Sequence, residues 1–252
     1  MIEILILSLI QGVTEFLPIS SSSHLILFSK FMNFQDQSLS IDVSLHIGSF
    51  IAVITYFYKD FLKFFDNREL FLKIIVSSIP IMVVGFLLVE SNFIEKLRNV
   101  QIIGWMTLIF GILLYVSDKF NLDKKVDNDF TYKTAIIIGL FQIGPLIPGV
   151  SRSGIAITAC RLLKFKRFDS AKIAFLLSIP TLGAVSIYGL KDIITSENSY
   201  FSIMNLIAIL LSFLFSLITI KYFLKYIRNF NLNLFVLYRI ILGLSLIFLA
   251  YL

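Results

Sequence analysis

Cysteine is almost missing from this chain. Cys160 stands alone among 252 residues, so neither an intramolecular disulfide nor a cysteine zinc cluster can form. Histidine is nearly as scarce, with two copies, His24 and His46. Charged residues make up 15% of the chain, and the net charge of +6 comes mostly from loop lysines and arginines. That excess reads as topology signal and lipid contact, not as a nucleic-acid surface. The amino terminus, MIEILILSLIQG, lacks the basic flank and small-residue cleavage site of a secretory signal.

What is abundant is apolar sequence. Hydrophobic residues reach 58% and mean hydropathy is +0.90, against roughly 45–50% apolar in a soluble domain. The chain therefore reads as an all-α polytopic membrane protein. Six stretches are long enough to cross a bilayer as helices: 41–58, 71–89, 100–117, 172–190, 203–226 and 234–252. Two regions break that pattern. In 1–32 an apolar piece meets a Pro-Ser break at 18–23 and resumes as a short apolar piece. In 134–163 the same form recurs around PGVSRSG at 148–154. Each half is too short for a span, so each region is expected to be a re-entrant helical hairpin with its polar tip inside the membrane.

The positive charges test this layout. Loops 59–73, 117–133, 161–172 and 221–231 hold 16 of the 22 lysines and arginines. Segment 1–40 and loops 90–99 and 191–202 are nearly bare of them. The positive-inside rule puts the first set in the cytoplasm and the second outside. The sides alternate only if both breaks are hairpins returning to their own side. One membrane domain, 1–252, then contains two units in opposite orientation, about 1–117 and 134–252. Comparing LIQGVTEFLPISSSS (9–23) with LFQIGPLIPGVSRSG (140–154) gives an independent echo, with Gln11 matching Gln142. Inverted repeats of this kind place a site near the midplane, where broken helices meet.

Polar groups at membrane depth are costly, so they mark function. Gln11 and Glu15 are four apart and share a helix face. Ser20, Ser21, Ser22 and Ser23 sit at a helix start, where hydroxyls cap and anions bind. His24 lies one turn beyond Ser20 and Ser21. A serine beside a histidine, with a carboxylate near, is what activates a hydroxyl nucleophile. Arg152 needs an anionic partner, and its planar fork suits phosphate. Ser151, Ser153 and Gly154 mark a second helix start whose N–H groups would join it. A bland alternative makes Arg152 and Glu15 a structural pair bridging the hairpins. Asp42 and His46, also four apart, read first as an interfacial pair fixing a helix. Arg239, near a cytoplasmic helix start, is expected to snorkel.

QGVTEFLPISSSSH (11–24) followed by PGVSRSG (148–154) resembles the undecaprenyl-diphosphate phosphatases of the bacitracin-resistance type, across essentially the whole chain. The resemblance implies removal of the terminal phosphate from a polyprenyl diphosphate, recycling the monophosphate carrier lipid for peptidoglycan synthesis. It implies a site opening to the outer face of a bacterial cytoplasmic membrane, and a divalent cation, Mg²⁺ or Ca²⁺. The family's acidic motif falls on Gln11 and Glu15, the serine–histidine motif on Ser20, Ser21 and His24, and the arginine motif on Ser151, Arg152 and Ser153. Glutamine stands at 11 where the family often has glutamate, Ser23 precedes the histidine where glycine is common, and Ile155 and Ala156 stand where Ala-Thr is common.

The expected mechanism has Arg152 and the hairpin N–H groups holding the diphosphate, with Ser20, Ser22, Ser151, Ser153 and Gly154 lining it. Glu15, with Gln11 through water, positions the cation. Ser21 is the first choice of nucleophile and His24 its base; His24 itself or a metal-bound water are rivals. A transporter or polyprenyl-phosphate flippase using the same anion site is the alternative from another class, though transport alone does not need a Ser–His–Glu cluster. The sequence leaves the oligomeric state open, a homodimer included.

Overall fold

The computed structural model describes residues 1–32, 38–66, 68–90, 96–120, 123–195 and 202–252. The chain runs through α1 (Ile2–Thr14), α2 (Ser21–Met32), α3 (Leu39–Tyr56), α4 (Tyr58–Asp66), α5 (Arg68–Glu90) and α6 (Val100–Asp118). It continues through α7 (Val126–Asp129), α8 (Tyr132–Phe141), α9 (Arg152–Leu162), α10 (Arg167–Thr195), α11 (Ile203–Asn229) and α12 (Asn233–Tyr251). The described residues hold no strand beyond an isolated bridge between Lys124 and Phe165. Six helices, α3, α5, α6, α10, α11 and α12, are long and apolar enough to cross a membrane. In hydrocarbon a helix satisfies its backbone polar groups within its own segment, which is why apolar runs of this length fold so. The protein is a multi-pass membrane protein.

Span ends shift from the expected ones for local reasons. Ser38 caps α3 by accepting from the Ile41 N–H at 3.3 Å, so the helix starts two residues earlier than expected. The chain then turns at Phe57 into α4, which the charge count treats as loop. Its sequence, YKDFLKFFD, segregates charge from aromatic residues at helical spacing and makes a short amphipathic helix.

Small residues let the helices approach closely, as membrane bundles need. A Cβ on Gly12 would come within 2.5 Å of Phe215 Cβ, so α1 lies directly on α11. Ser49 of α3 shares hydrogen bonds with Ser212 (3.2 Å) and Ser216 (3.0 Å) of α11. The core is aromatic: Phe16, Phe175, Phe223 and Phe235 form a chain of ring contacts with centroids 5.3, 5.8 and 5.4 Å apart. At the basic end, buried Asp118 accepts from Arg167 Nε (2.8 Å) and the Leu232 N–H (3.1 Å) and pairs with Arg161. That knot ties α6, α9, α10 and α12 together. Removing one partner of such a buried pair costs about 3–5 kcal/mol.

Between α1 and α2, and again between α8 and α9, the chain leaves the helix for a few residues. Those two breaks lie against each other in the interior and form the centre of the site described next.

Candidate active site

Each incoming helix stops ahead of a proline, α1 at Thr14 before Pro18 and α8 at Phe141 before Pro148. Pro18 and Pro148 lack the N–H a helix would use and push the preceding residue out of helical geometry. Gly149 follows with φ +102, and a Cβ there would lie 2.7 Å from the Ile103 carbonyl oxygen. Each outgoing helix is preceded by a serine with positive φ, Ser20 at 75° and Ser151 at 71°. A non-glycine residue in that region costs about 1–3 kcal/mol and persists only where its surroundings hold it.

Arg239 supplies much of that hold. Its Nη1 donates to the carbonyls of Pro18 and Val150, both at 3.1 Å, and its Nη2 donates to Gly149 O at 2.8 Å. Its Nε donates to Thr107 O at 3.2 Å. The expectation that Arg239 snorkels is therefore wrong; its exposure is 0%. It lies six residues into α12, about 9 Å along the axis, and turns inward. Glycines open the way: a Cβ on Gly111 would sit 2.9 Å from Arg239 Cβ, and one on Gly154 3.0 Å from its Nη1. Ser153 Oγ donates to Leu17 O at 2.7 Å, a second tie between the breaks.

Glu15 is the hub of the side chains. One carboxylate oxygen accepts from Ser21 Oγ at 2.5 Å and Gln11 Nε2 at 3.1 Å, and the other accepts from Arg152 Nη2. The other arm of Arg152 donates to Thr181 Oγ1 on α10 at 2.6 Å. The Glu15 and Arg152 side chains are only 4% and 17% exposed. So the structure brings together Gln11, Glu15, Ser21 and Arg152, from two segments far apart in sequence.

His24 differs from the expected arrangement. Its Nδ1 lies 2.6 Å from Ser20 O and its Nε2 lies 2.6 Å from the Tyr238 hydroxyl. The neutral ring must therefore carry its proton on Nδ1 and accept from Tyr238 at Nε2. The Ser21–His24 hydrogen bond is not formed; Ser21 turns to Glu15 instead. The imidazole folds back one turn onto the Ser20 carbonyl, as His46 does onto that of Asp42, while Ser21, the first residue of α2, faces the Glu15 carboxylate. The rings of His24 and Tyr238 lie near parallel, 15° apart.

The remaining predicted residues divide. Ser20 Oγ bonds Ser23 Oγ at 3.0 Å, while Ser22 is exposed. Ser151 caps α9 by accepting from the Gly154 N–H at 3.1 Å, and lies 3.3 Å from Ser153 Oγ. Thr158 spends its hydroxyl on Gly154 O at 2.8 Å. His46 bonds the Asp42 main-chain carbonyl at 2.8 Å, a contact within its own helix.

Can these residues hold a divalent cation? Gln11 Oε1 is buried with no partner, an orphaned hard oxygen beside the Glu15 carboxylate. Among the described residues no three His, Cys, Asp or Glu side chains cluster as a metal cage. The donor set thus suits an ion shared with substrate phosphate oxygens, the usual manner of Mg²⁺ at phosphoryl-transfer sites.

Sequence reasoning missed Arg239, Tyr238 and Thr181. A usable signal existed for Arg239: an arginine more than a turn inside a 19-residue apolar helix, beside Gly243. Nothing in the sequence alone ties Tyr238 to His24.

Residues 4–245 match the family described as Bacitracin resistance protein BacA. An undecaprenyl-diphosphatase of Pelagibacter ubique (strain HTCC1062) is 49% identical, the match covering 99% of this chain and 98% of that one. One from Saccharophagus degradans is 42% identical over 95% of this chain and 94% of its own. Undecaprenyl-diphosphatase 1 of Pseudoalteromonas translucida is 40% identical over 98% and 97%. With matches of this extent, the chain belongs to the bacitracin resistance protein family.

Proposed function

We propose that this protein hydrolyses undecaprenyl diphosphate to the monophosphate carrier and inorganic phosphate, and that it does so at the two breaks. The observation that carries the site is the Glu15 carboxylate, shared by a serine hydroxyl from one break and a guanidinium from the other. The full-length relatives carry the activity.

In this reading the terminal phosphate of the lipid takes the Arg152 fork from Glu15. Thr181 keeps the guanidinium aimed while its charge meets the charge spread over the transferred phosphoryl. Ser21 Oγ attacks the terminal phosphorus as its proton passes to Glu15. A serine–phosphorus bond forms, the bridging P–O bond breaks, and the lipid leaves as monophosphate. Water then cleaves the phosphoserine, releasing phosphate and returning the proton to Ser21. His24, engaged by Ser20 and Tyr238, orients the start of α2. A divalent cation held by Glu15 and Gln11 with the substrate oxygens would neutralise phosphate charge.

The breaks act in this proposal as re-entrant hairpins within an inverted repeat. Helix pairing supports that: α1 packs on α11 as α8 packs on α5, and α3 on α11 as α10 on α5, while α3/α10 and α6/α12 pair across the centre. The equivalent serines, Ser20 and Ser151, share the same unusual backbone geometry. In this reading the site opens to the outer face of the bacterial cytoplasmic membrane, as the family resemblance implies, and the charge pattern supports one hairpin entering from each side.

Inorganic phosphate release from a long-chain prenyl diphosphate by the purified protein, with and without EDTA, tests the function. No release in either condition sinks it. Ser21→Ala is expected to lose nearly all turnover and to trap no phosphoenzyme; near-parental turnover reassigns the nucleophile. Glu15→Gln is expected to cut the rate at least about 10²-fold and to raise the metal concentration needed for half activity. An unchanged metal titration in that variant removes Glu15 from the cation site.

A further inference from the structure

A cavity of about 400 Å³ opens at the basic end, away from the breaks, where α3 ends, α4 begins, α10 starts and α11 finishes. It lies nine residues up α10 from Thr181, roughly 13 Å along the axis. Three membrane-spanning helices terminate there, so its mouth sits where hydrocarbon gives way to headgroups. Tyr56 and Tyr58, 37% and 52% exposed, edge it. Half-wet tyrosines are what such a boundary selects.

Its charges are unbalanced. Lys172 and Asp60 pair at 2.9 Å and cancel each other. The Arg228 guanidinium carbon lies over the Phe168 ring, 4.3 Å from its centroid, and the group makes no hydrogen bond or ion pair with the described residues. Lys59 rests over the Tyr58 ring at 5.8 Å and likewise has no carboxylate partner among them. The contact with the ring leaves the guanidinium donors unspent beside a cavity whose lining has an excess of two positive charges.

We infer that this cavity is a binding site for the headgroup of an anionic phospholipid. A phosphodiester supplies the two acceptor oxygens that Lys59 and Arg228 lack. The glycerol and upper acyl chains would lie on the aromatic wall, which a free phosphate cannot use. Such a lipid would bridge α3, α10 and α11, the helices carrying Ser49, Thr181 and Ser216. It would steady the scaffold without touching the chemistry, so this inference stands apart from the catalytic reading.

The test uses the full chain in neutral detergent and measures lipid adducts by native mass spectrometry, with phosphatidylglycerol and with phosphatidylcholine. The double variant Lys59→Gln/Arg228→Gln is expected to bind phosphatidylglycerol about thirty-fold more weakly, at two surface cations lost. The control Lys125→Gln/Lys133→Gln removes two cations from another basic loop and should bind it as the parent does. Phosphate release in phosphatidylcholine micelles should be the same in all three proteins. Equal loss in both double variants, no loss in the first, or equal parental affinity for phosphatidylcholine would overturn the site. So would displacement of the lipid by inorganic phosphate, which would make the cavity a free-anion site.

Discussion

Arg152→Ala should abolish turnover, by at least about 10³-fold, in a protein that still extracts as a single species. The magnitude follows from what the guanidinium is asked to do. A positioned arginine on a transferring phosphoryl group is worth about 10³–10⁵ in rate, because charge developing in a dry site has no water to answer it. The same substitution leaves the Glu15 carboxylate buried with only Ser21 and Gln11 as donors, so stability must fall as well, by about 3–5 kcal/mol. Loss of activity and loss of fold are separable here. Arg239 and Ser153 hold the two breaks together without using Arg152. The variant should therefore keep a cooperative melt at a lower midpoint and elute from size exclusion as the parent does. Arg152→Lys sharpens the test. It keeps the charge but loses the fork that reaches Glu15 and Thr181 at once, so it should melt near the parent yet turn over about 10²-fold more slowly. Substantial phosphate release by a folded Arg152→Ala protein would remove the central role given to this residue.

The sequence carried the spans because length and hydropathy alone decide whether a segment crosses a bilayer. It carried the breaks because at 18–23 and 148–154 a proline coincides with a run of serines or glycines between two apolar pieces too short to span. Pro80 and Pro180, by contrast, stand alone in long apolar runs and stay inside their helices. It carried Glu15 and Arg152 because a charge at depth needs a partner, and these two stand at the two breaks, one of each sign. What it could not carry were contacts set by backbone geometry. Spacing of three and four places His24 over Ser20 and Ser21, but spacing assumes helix on both sides. Ser20 lies outside the helix with positive φ, the imidazole reaches back one turn to its carbonyl, and the Ser21 hydroxyl goes to Glu15. Arg239 was misjudged for a related reason. Nearness to a helix end suggests snorkelling, yet irregular backbone inside a membrane leaves carbonyls that some buried donor must satisfy. The two breaks created that demand, and the sequence shows the breaks without showing which donor answers them.

Arg239→Met tests that demand directly, and its effect should rival that of Arg152→Ala by a different route. Methionine fills the apolar part of the space but donates nothing, leaving the carbonyls of Pro18, Gly149 and Val150 without a donor among the described residues, while Thr107 O, mid-helix in α6, keeps its helical one. Each buried acceptor so orphaned costs about 1–3 kcal/mol, so the total is several kcal/mol, comparable to a protein's net stability. The thermal midpoint should fall further than in Arg152→Ala. Turnover should also fall at least about 10²-fold at low temperature, where the variant remains folded. Ser21 and Arg152 begin the two outgoing helices just beyond the clamped carbonyls, and a shift of about 1 Å in either is enough for that loss. Arg239→Lys discriminates positioning from simple filling. A single ammonium cannot span acceptors on both breaks and α6 together, so lysine should regain part of the lost stability while turnover stays depressed. Parental turnover in folded Arg239→Met would mean that the breaks hold their register without the clamp. In that case the strained serines must be fixed by the Ser153–Leu17 tie and the packing of Phe16 on Phe175.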